Sequence, residues 1–200
     1  MGQLTREHDW AHPPIGAIST WPPHLRTAVS LCLASRFPIV LFWGPDFRQF
    51  YNDAYRPILG QNKHPRALSQ CAHECWAEIW DVIGPMLTGV VTTGEATWSN
   101  NLLLLLDRNV HLEECYFTFS YSPILDESGR VAGIFCAVTE TTEEVLSKLW
   151  PPIQPQLTRL KRFANRPQQL FLGMPLTCPL RCSIYLKPMA NRRVWWGALV

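Results

Sequence analysis

The 200-residue sequence lacks the motifs that mark most enzymes and membrane proteins. It has no Gly-rich phosphate-binding loop, no Ser/His/Asp set and no His-Glu-x-x-x-x-Pro phosphoacceptor box, so no enzyme activity can be assigned to its residues. A membrane-spanning helix needs about 20 apolar residues, and the longest aliphatic run, Leu102 to Leu106, is far shorter. These absences predict a chain without catalysis and without a membrane span.

Signals for secretion are also missing. The chain does not open with a charged segment followed by an apolar stretch, which a signal peptide requires. Its cysteines are odd in number and irregularly spaced, unlike those of a secreted disulfide framework. A reducing cytoplasm is therefore the expected location. The seven cysteines are Cys32, Cys71, Cys75, Cys115, Cys136, Cys178 and Cys182.

One short segment, Cys71-Ala72-His73-Glu74-Cys75, contains soft metal ligands. It could hold zinc, or it could give haem an axial ligand through His73. Structural zinc needs four ligands, however, and Cys178 and Cys182 could complete a site only if the end of the chain folded back. His64 is interpreted as a loop residue. The sequence therefore predicts no metal site and no haem.

The sequence has two compositional regimes. Residues 1 to 150 hold all 16 acidic side chains and 10 of the 18 basic ones, which gives a net charge of −6. Residues 151 to 200 hold the other 8 basic residues, seven prolines and no acid. The chain as a whole has a globular composition, with 47% hydrophobic and 17% charged residues. Only the first regime shows helical or strand periodicity.

Hydrophobic periodicity predicts an α+β arrangement in the first regime. Apolar residues recur at helical spacing over His24 to Ser35, and again from about Cys75 to Thr92. A short helix, Asp53 to Leu59, is expected to be capped by Asn52 and to stop at Gly60. Apolar or alternating runs between turn-forming residues predict five strands. These strands are expected at Ile39 to Trp43, Phe47 to Tyr51, Ala96 to Leu106, Cys115 to Leu125 and Val131 to Thr139.

Five short motifs lie at or near the boundaries of the predicted helices and strands. They are Ser-Arg-Phe-Pro at 35–38, Trp-Gly-Pro-Asp at 43–46, Tyr-Asn-Asp-Ala-Tyr at 51–55, Glu-x-Tyr-Phe-Thr-Phe-Ser-Tyr-Ser-Pro-Ile at 114–124 and an Asp-x-x-Gly hairpin at 126–129. Together they resemble a PAS sensory domain of the kind that opens multidomain bacterial sensor histidine kinases. The segment Thr139 to Leu146 resembles the acidic-x-Thr exit motif of that family, with Glu140 in the acidic position.

The resemblance implies an α+β PAS fold over about Phe37 to Thr142, with a five-stranded antiparallel sheet and helices on one face. It also implies a module that senses a ligand or docks a protein and does not catalyse. A small apolar ligand is expected between sheet and helices, although the same side chains can be explained as packed core and Asn52 as a plain helix cap. The candidate pocket residues are Tyr55, Ile58, Ile83, Phe117 and Phe119.

In the family, the signal leaves through the exit motif, here Glu140 and Thr142. Thr141 or Thr142 is expected to cap a helix with two glutamates in its first turn, where they complement the helix dipole. A Pro-Pro pair should end that helix after about two turns. Any homodimer is expected to form through the amphipathic helix at Leu25 to Leu33.

Cofactor binding is not expected. Photochemical flavin-binding PAS domains carry an Asn-Cys-Arg-Phe motif, and it is missing from this sequence. Flavin, like haem, is therefore not predicted.

Residues 151–200 allow two interpretations. A basic, aromatic-tipped tail could bind nucleic acid or an anionic surface through Arg192 to Trp196. Alternatively, the segment is an out-of-frame translation: with permitted codons, a shifted translation of Met174 to Gly197 gives two strand-like runs around an Asp-Gly turn. That shifted text resembles the first hairpin of a GAF domain. We favour the second interpretation, and we expect the tail to be disordered and to bind no nucleic acid specifically.

The expected organisation is a lead-in with an amphipathic helix (1–36), a PAS domain (37–142), the start of a signalling helix (143–150) and the tail (151–200). We expect a cytoplasmic sensory input module of a two-component system, cut from a longer protein with downstream GAF or kinase modules. Two alternatives are a fragment of a histidine kinase that lacks its catalytic parts and an adaptor with a nucleic-acid-binding tail.

Overall fold

The structure is a computed structural model that describes residues 1–10, 15–109 and 111–149. Its strands are β1 (Ile39–Trp43), β2 (Arg48–Tyr51), β3 (Thr97–Asp107), β4 (Leu112–Leu125) and β5 (Val131–Glu140). Its α-helices are α1 (Gly2–Glu7), α2 (Pro23–Ala34), α3 (Arg56–Lys63), α4 (Ala72–Cys75), α5 (Trp80–Thr93) and α6 (Thr142–Leu149). Short 3₁₀ turns lie at Ile18–Thr20, Asp53–Tyr55 and Ala77–Ile79. The predictions for residues 151–200 fall outside the described residues.

The five strands form one antiparallel sheet in the order β2-β1-β5-β4-β3. Turn chemistry explains its tight connections. At the β4–β5 hairpin, the Asp126 carboxylate accepts hydrogen bonds from the backbone N–H groups of Ser128 and Arg130 at 2.8 and 3.0 Å. Gly129 follows with a φ of 81°, a left-handed conformation that glycine adopts without steric cost. The predicted five-stranded antiparallel sheet is confirmed.

The two faces of the sheet carry different side chains, because successive residues of a strand point to opposite sides. On β4, Cys115, Phe117, Phe119 and Tyr121 are buried, while the intervening residues are only half-buried. On β5, Ile134, Cys136 and Val138 continue the same buried face. This inner face packs against α5 and the segment around Tyr55.

Helix α2 packs on the outer face of the sheet, against β1 and β2. Leu25 and Cys32 of this helix are fully buried, and the Cys32 thiol lies 3.7 Å from the Ile39 carbonyl oxygen, to which it donates. Most of the apolar stripe predicted for Leu25 to Leu33 is therefore covered by the chain's own sheet. Within this stripe, Leu31 remains at the surface and is 62% exposed. That copies associate through this helix stays a prediction.

The lead-in before α2 also packs on this outer face. The Trp10 ring stacks on Phe50 of β2 at a centroid distance of 5.0 Å, and the Trp21 ring meets Phe50 edge-on at 5.3 Å. Both indole N–H groups are satisfied by local carbonyls, Trp10 by Thr5 and Trp21 by Gly16. The aromatic residues of the lead-in therefore extend the core on this side.

The helix expected to stop at Gly60 is interrupted at that residue, whose φ of 63° and ψ of −169° are not helical, and a further helical turn runs across this kink to Lys63. The single helix expected from Cys75 is interrupted at Trp76, whose φ of −118° and ψ of 33° are not helical. Helix α5 begins at Trp80 and ends at Thr93, and Gly94, which follows it, has the left-handed conformation. None of the described helices is both long and apolar enough to cross a membrane.

Candidate functional site

An apolar cavity of about 40 Å³ lies between the inner face of the sheet and the helices. All five predicted pocket residues line it: Tyr55, Ile58, Ile83, Phe117 and Phe119. Their role in binding a ligand stays a prediction. The other lining residues are Val40, Phe42, Trp76, Ile79, Leu104, Leu106, Tyr121, Cys136 and Val138.

The size of the cavity limits what it holds in this conformation. One water needs roughly 10–15 Å³ of such space, so the cavity has room for about three waters. Pockets for drug-sized ligands are commonly about 300–1,000 Å³. A ligand is therefore either a molecule of few heavy atoms or one that moves α5 or the Tyr55 segment away from the sheet.

Sequence reasoning missed most of the cavity wall. Tyr121 could have been included, since it continues the alternation of Phe117 and Phe119 on β4. Cys136 could have been found in the same way, because it alternates with Ile134 and Val138 on β5. The sequence did not identify Trp76 as a cavity residue, because the helical pattern predicts one continuous helix through it.

Asn52 fixes the start of the Tyr55 segment. Its side-chain oxygen accepts from the Tyr55 N–H at 3.1 Å, the bond of a helix cap, and also from the Ile39 N–H at 3.2 Å. Its amide donates to the carbonyls of Ser35 and Phe37 at 3.1 and 2.7 Å. With 1% of its surface exposed, Asn52 joins the end of α2, the start of β1 and the cavity wall. It is therefore more than a helix cap.

At the exit, Glu140 is held by Arg108 of the β3–β4 turn. The two guanidinium Nη atoms donate to the two carboxylate oxygens at 2.8 and 2.9 Å, a bidentate geometry that strengthens the pair. The Nε of Arg108 donates to Glu113 at 2.7 Å. These hydrogen bonds raise the pKa of Arg108, and the guanidinium lowers the pKa of Glu113. The Glu140 side chain is therefore joined to the β3–β4 turn through Arg108.

The Asp107-Arg108 turn also contacts the helical side of the cavity. The Asn62 N–H of α3 donates to the Arg108 carbonyl at 3.2 Å, and the Asn62 side chain donates to Asp107 at 3.1 Å. A Cβ at Gly60 would collide with that same Arg108 carbonyl. The Glu78 carboxylate, next to the cavity-lining Ile79, accepts from the Asp107 N–H at 3.2 Å. One turn therefore links α3 and the Glu78 segment to Glu140.

Thr142 binds the sheet and not its own helix. Its hydroxyl accepts from the Tyr116 N–H of β4 at 3.0 Å and donates to Glu140 at 3.0 Å. The buried Thr141 hydroxyl has no hydrogen-bond partner within the described residues. The prediction that one of these threonines caps α6 is therefore wrong, because Tyr116 and Glu140 occupy the Thr142 hydroxyl. The two glutamates do lie in the first turn of α6.

The segment from Cys71 to Cys75 is not arranged as a metal site. Cys75 is buried, and burial raises the pKa of its thiol, while the His73 ring packs edge-on against Trp80 at 5.2 Å. Across the part of the chain that the structure describes, no three His, Cys, Asp or Glu side chains form a group that could hold a metal ion. His64, interpreted as a loop residue, has its Nδ1 2.9 Å from the Tyr51 hydroxyl oxygen.

The five-stranded antiparallel sheet encloses an apolar cavity together with the helices, and its last strand is followed by helix α6. The sequence model of the PAS fold family matches residues 35–146, more than half of the chain, and the chain therefore belongs to this family. No curated protein matches it in sequence.

Solved structures of low sequence identity resemble this fold. One is the PAS domain of Bordetella pertussis BvgS, with 19% identity, a TM-score of 0.49 and coverage of 71% of this chain and 99% of that one. A sensory box sensor histidine kinase from Vibrio cholerae has 15% identity, a TM-score of 0.41 and coverage of 58% and 90%. An RNA-binding light-oxygen-voltage receptor has 18% identity, a TM-score of 0.47 and coverage of 76% and 42%. The present chain thus spans less than half the length of that receptor.

Proposed function

We propose that this chain is the small-ligand input module of a cytoplasmic two-component sensor. A ligand in the cavity displaces α3 or the Glu78 segment, and the Asp107-Arg108 turn transmits the displacement to Glu140 and α6. The observation that carries this proposal is the pair of contacts made by one residue: the Arg108 backbone accepts from α3 while its side chain holds Glu140.

The chemistry of the cavity supports a ligand site. Its wall is almost entirely apolar, and such a wall with few polar groups is the usual environment of a small-molecule site. The cytoplasmic location is part of the proposal, and the unpaired state of the five described cysteines fits a reducing compartment.

Benzene is larger than the cavity in this conformation, so its binding to the full 200-residue chain tests whether the cavity opens to accept a ligand. We expect ¹H–¹⁵N spectra to show saturable shifts at Tyr55 to Leu59 and at Phe117 to Tyr121. Ile83→Trp places a large side chain in the cavity wall and should abolish these shifts. Val91→Trp is the matched control, because Val91 lies on the same helix and is 43% exposed. Cavity shifts that persist in the Ile83 variant, or are absent from the wild type, would overturn the proposal.

A further inference from the structure

The two edges of the sheet differ in how the fold covers them. At the β2 edge, the Gln49 N–H donates to the Gln70 carbonyl at 3.2 Å, and the Gln49 carbonyl accepts from the Ser69 N–H at 2.9 Å. The connection between α3 and α4 therefore covers β2. At the β3 edge, the backbone of 102–106 makes no hydrogen bond to any described residue outside the strand ladder. Within the described part of the chain, β3 is therefore the free edge of the sheet.

The contacts around β3 show which of its backbone groups face this free edge. Tyr116 of β4 pairs with Leu103, but its carbonyl accepts from the Thr141 N–H at 2.7 Å, on the β5 side. The Asp107 N–H of β3 likewise donates away from β4, to a carboxylate at 3.2 Å. Hydrogen-bonded and non-hydrogen-bonded pairs alternate along an antiparallel ladder. The N–H and C=O groups of Leu103 and Leu105 therefore point outward, to the free edge.

The sequence of β3 has few of the features that keep an edge strand from pairing. Natural edges are commonly protected by charged side chains, proline, bulges or short length. Residues 97–106 contain no charge and no proline, and 102–106 are five consecutive leucines. The register shift between Ser99 and Leu102 is a bulge that ends the regular ladder on one side. It leaves the five leucines as a regular, uncharged edge.

Side-chain exposure shows what this edge would gain from a partner. Leu103 and Leu105 lie on the outer face and are 43% and 50% exposed, whereas Leu104 and Leu106 on the inner face are buried. Apolar cross-strand pairs stabilise a sheet when they lie directly opposite each other. A strand that fits this edge therefore brings apolar side chains to the outer face at the same two positions.

A second copy of β3, antiparallel to the first, meets this requirement in one register. When Leu104 lies opposite the partner's Leu104, Leu103 lies opposite the partner's Leu105, and the outward backbone groups of both are paired. Moving the second strand by two residues places Leu103 opposite the partner's Asp107, or Leu105 opposite the partner's Asn101. A move of one residue sets outer-face side chains opposite inner-face ones.

We propose that two copies of this chain pair through 102–106 of β3 and join their five-stranded sheets edge to edge around a two-fold axis at Leu104. The pairing is closed, because the β2 edge at the far end of each sheet is already covered. In this register the paired segment carries no charge, so no like charges oppose each other. The proposal uses a different surface from α2 and is independent of any ligand in the cavity.

Amide hydrogen exchange of the full chain tests the pairing without a variant. The exchange rates are measured by NMR at low and high protein concentration, and sedimentation equilibrium gives the fraction of dimer. We expect the Leu103 and Leu105 amides to become protected as the dimer forms, while the Leu104 amide, which bonds to β4, is protected at every concentration. A chain that stays monomeric overturns the proposal. Protection of Leu103 at every concentration also overturns it, since another segment of the chain then occupies the edge.

Charge variants test the register. Leu103→Lys combined with Leu105→Lys sets lysine opposite lysine, and we expect the dimer dissociation constant to rise about tenfold or more. Leu103→Lys combined with Leu105→Glu sets lysine opposite glutamate in this register only, and we expect it to dimerise about tenfold more tightly than the double-lysine variant. Leu31→Lys combined with Leu125→Lys is the control, because these leucines are 62% and 50% exposed and lie outside 102–106. Since Leu31 lies on α2, this control also tests the dimer predicted for that helix.

All three double variants replace exposed side chains, so thermal melting should show that each remains folded. Equal dissociation constants for the double-lysine and lysine–glutamate variants would overturn the register. A dimer that the β3 variants leave intact, and that the control variant dissociates, would assign the association to another surface and overturn the proposal.

Discussion

Arg108 and Glu140 form a two-point ion pair that joins the β3–β4 turn to the end of β5. The pair is largely shielded from solvent, with side-chain exposures of 14% for Arg108 and 28% for Glu140. Its position matters because the same turn contacts α3 through the Arg108 carbonyl. The exit helix therefore begins two residues after a carboxylate that is tied to the cavity side of the domain.

The first prediction concerns this pair. Glu140→Gln removes the charge, and we expect it to lower the free energy of unfolding by about 1–2 kcal/mol at pH 7, since hydrogen bonds to charged groups exceed neutral ones. Glu144→Gln is the control, because the Glu144–Lys148 pair is exposed to solvent and should contribute much less to stability. Urea denaturation measures both, and equal losses would contradict the structural role of Glu140.

The second prediction concerns Gly60, where a side chain would collide with the Arg108 carbonyl and the φ is positive. We expect Gly60→Ala to destabilise the fold by roughly 2 kcal/mol or more, because both strain and steric overlap oppose it. Gly89→Ala, in the open part of α5, should instead stabilise by about 0.5–1 kcal/mol through helix propensity. Thermal melting separates the two, and a Gly60 variant as stable as the wild type would show that α3 does not rest on Arg108.

The third prediction tests whether Asn52 acts only as a helix cap or also holds the Ser35 and Phe37 backbone in place. Aspartate caps helices about as well as asparagine, so Asn52→Asp would be tolerated if capping were its only role. The aspartate cannot donate to the carbonyls of Ser35 and Phe37, and we expect a loss of about 2–4 kcal/mol, close to that of Asn52→Ala. A chemical denaturation midpoint near the wild-type value for the aspartate variant would refute this.

The fourth prediction concerns acid stability at the β4–β5 hairpin. Hydrogen bonds from the Ser128 hydroxyl and from the backbone N–H groups of Arg130 and Ser128 lower the pKa of Asp126 from 3.8 to about 2. Because the folded pKa lies below the unfolded one, this contribution is present above pH 3.8 and is lost as the pH falls toward 2. Asp126→Asn should therefore be less stable than the wild type at pH 6, and the difference should shrink by pH 2. A difference that does not change with pH would contradict the shift.

Local chemistry explains which features the sequence could predict. Strand alternation on β4 and the turn residues from Asp126 to Gly129 are local signals, and they identified the sheet and the cavity residues Phe117 and Phe119. The other three predicted cavity residues, Tyr55, Ile58 and Ile83, followed from helical patterns and from the resemblance to PAS domains. The kink at Gly60 and the partner of Glu140 depend on where the β3–β4 turn lies in space, about 30 to 50 residues away in the chain. Trp76 interrupts a helical pattern, and its indole N–H bonds to the buried Gln49, a tertiary contact that periodicity does not reveal.

The central claim is that cavity occupancy reaches α6 through Arg108. The most direct measurement is the change in α6 amide shifts, from Thr142 to Leu149, when benzene is added to the wild type, to Arg108→Gln and to the control Arg130→Gln, whose side chain is 82% exposed. We predict that benzene changes the amide chemical shifts of α6 in the wild type and in Arg130→Gln. In Arg108→Gln, we predict that it changes only the amide shifts of the residues around the cavity. Cavity shifts without α6 shifts in the wild type, or α6 shifts that are unchanged in Arg108→Gln, would contradict the claim.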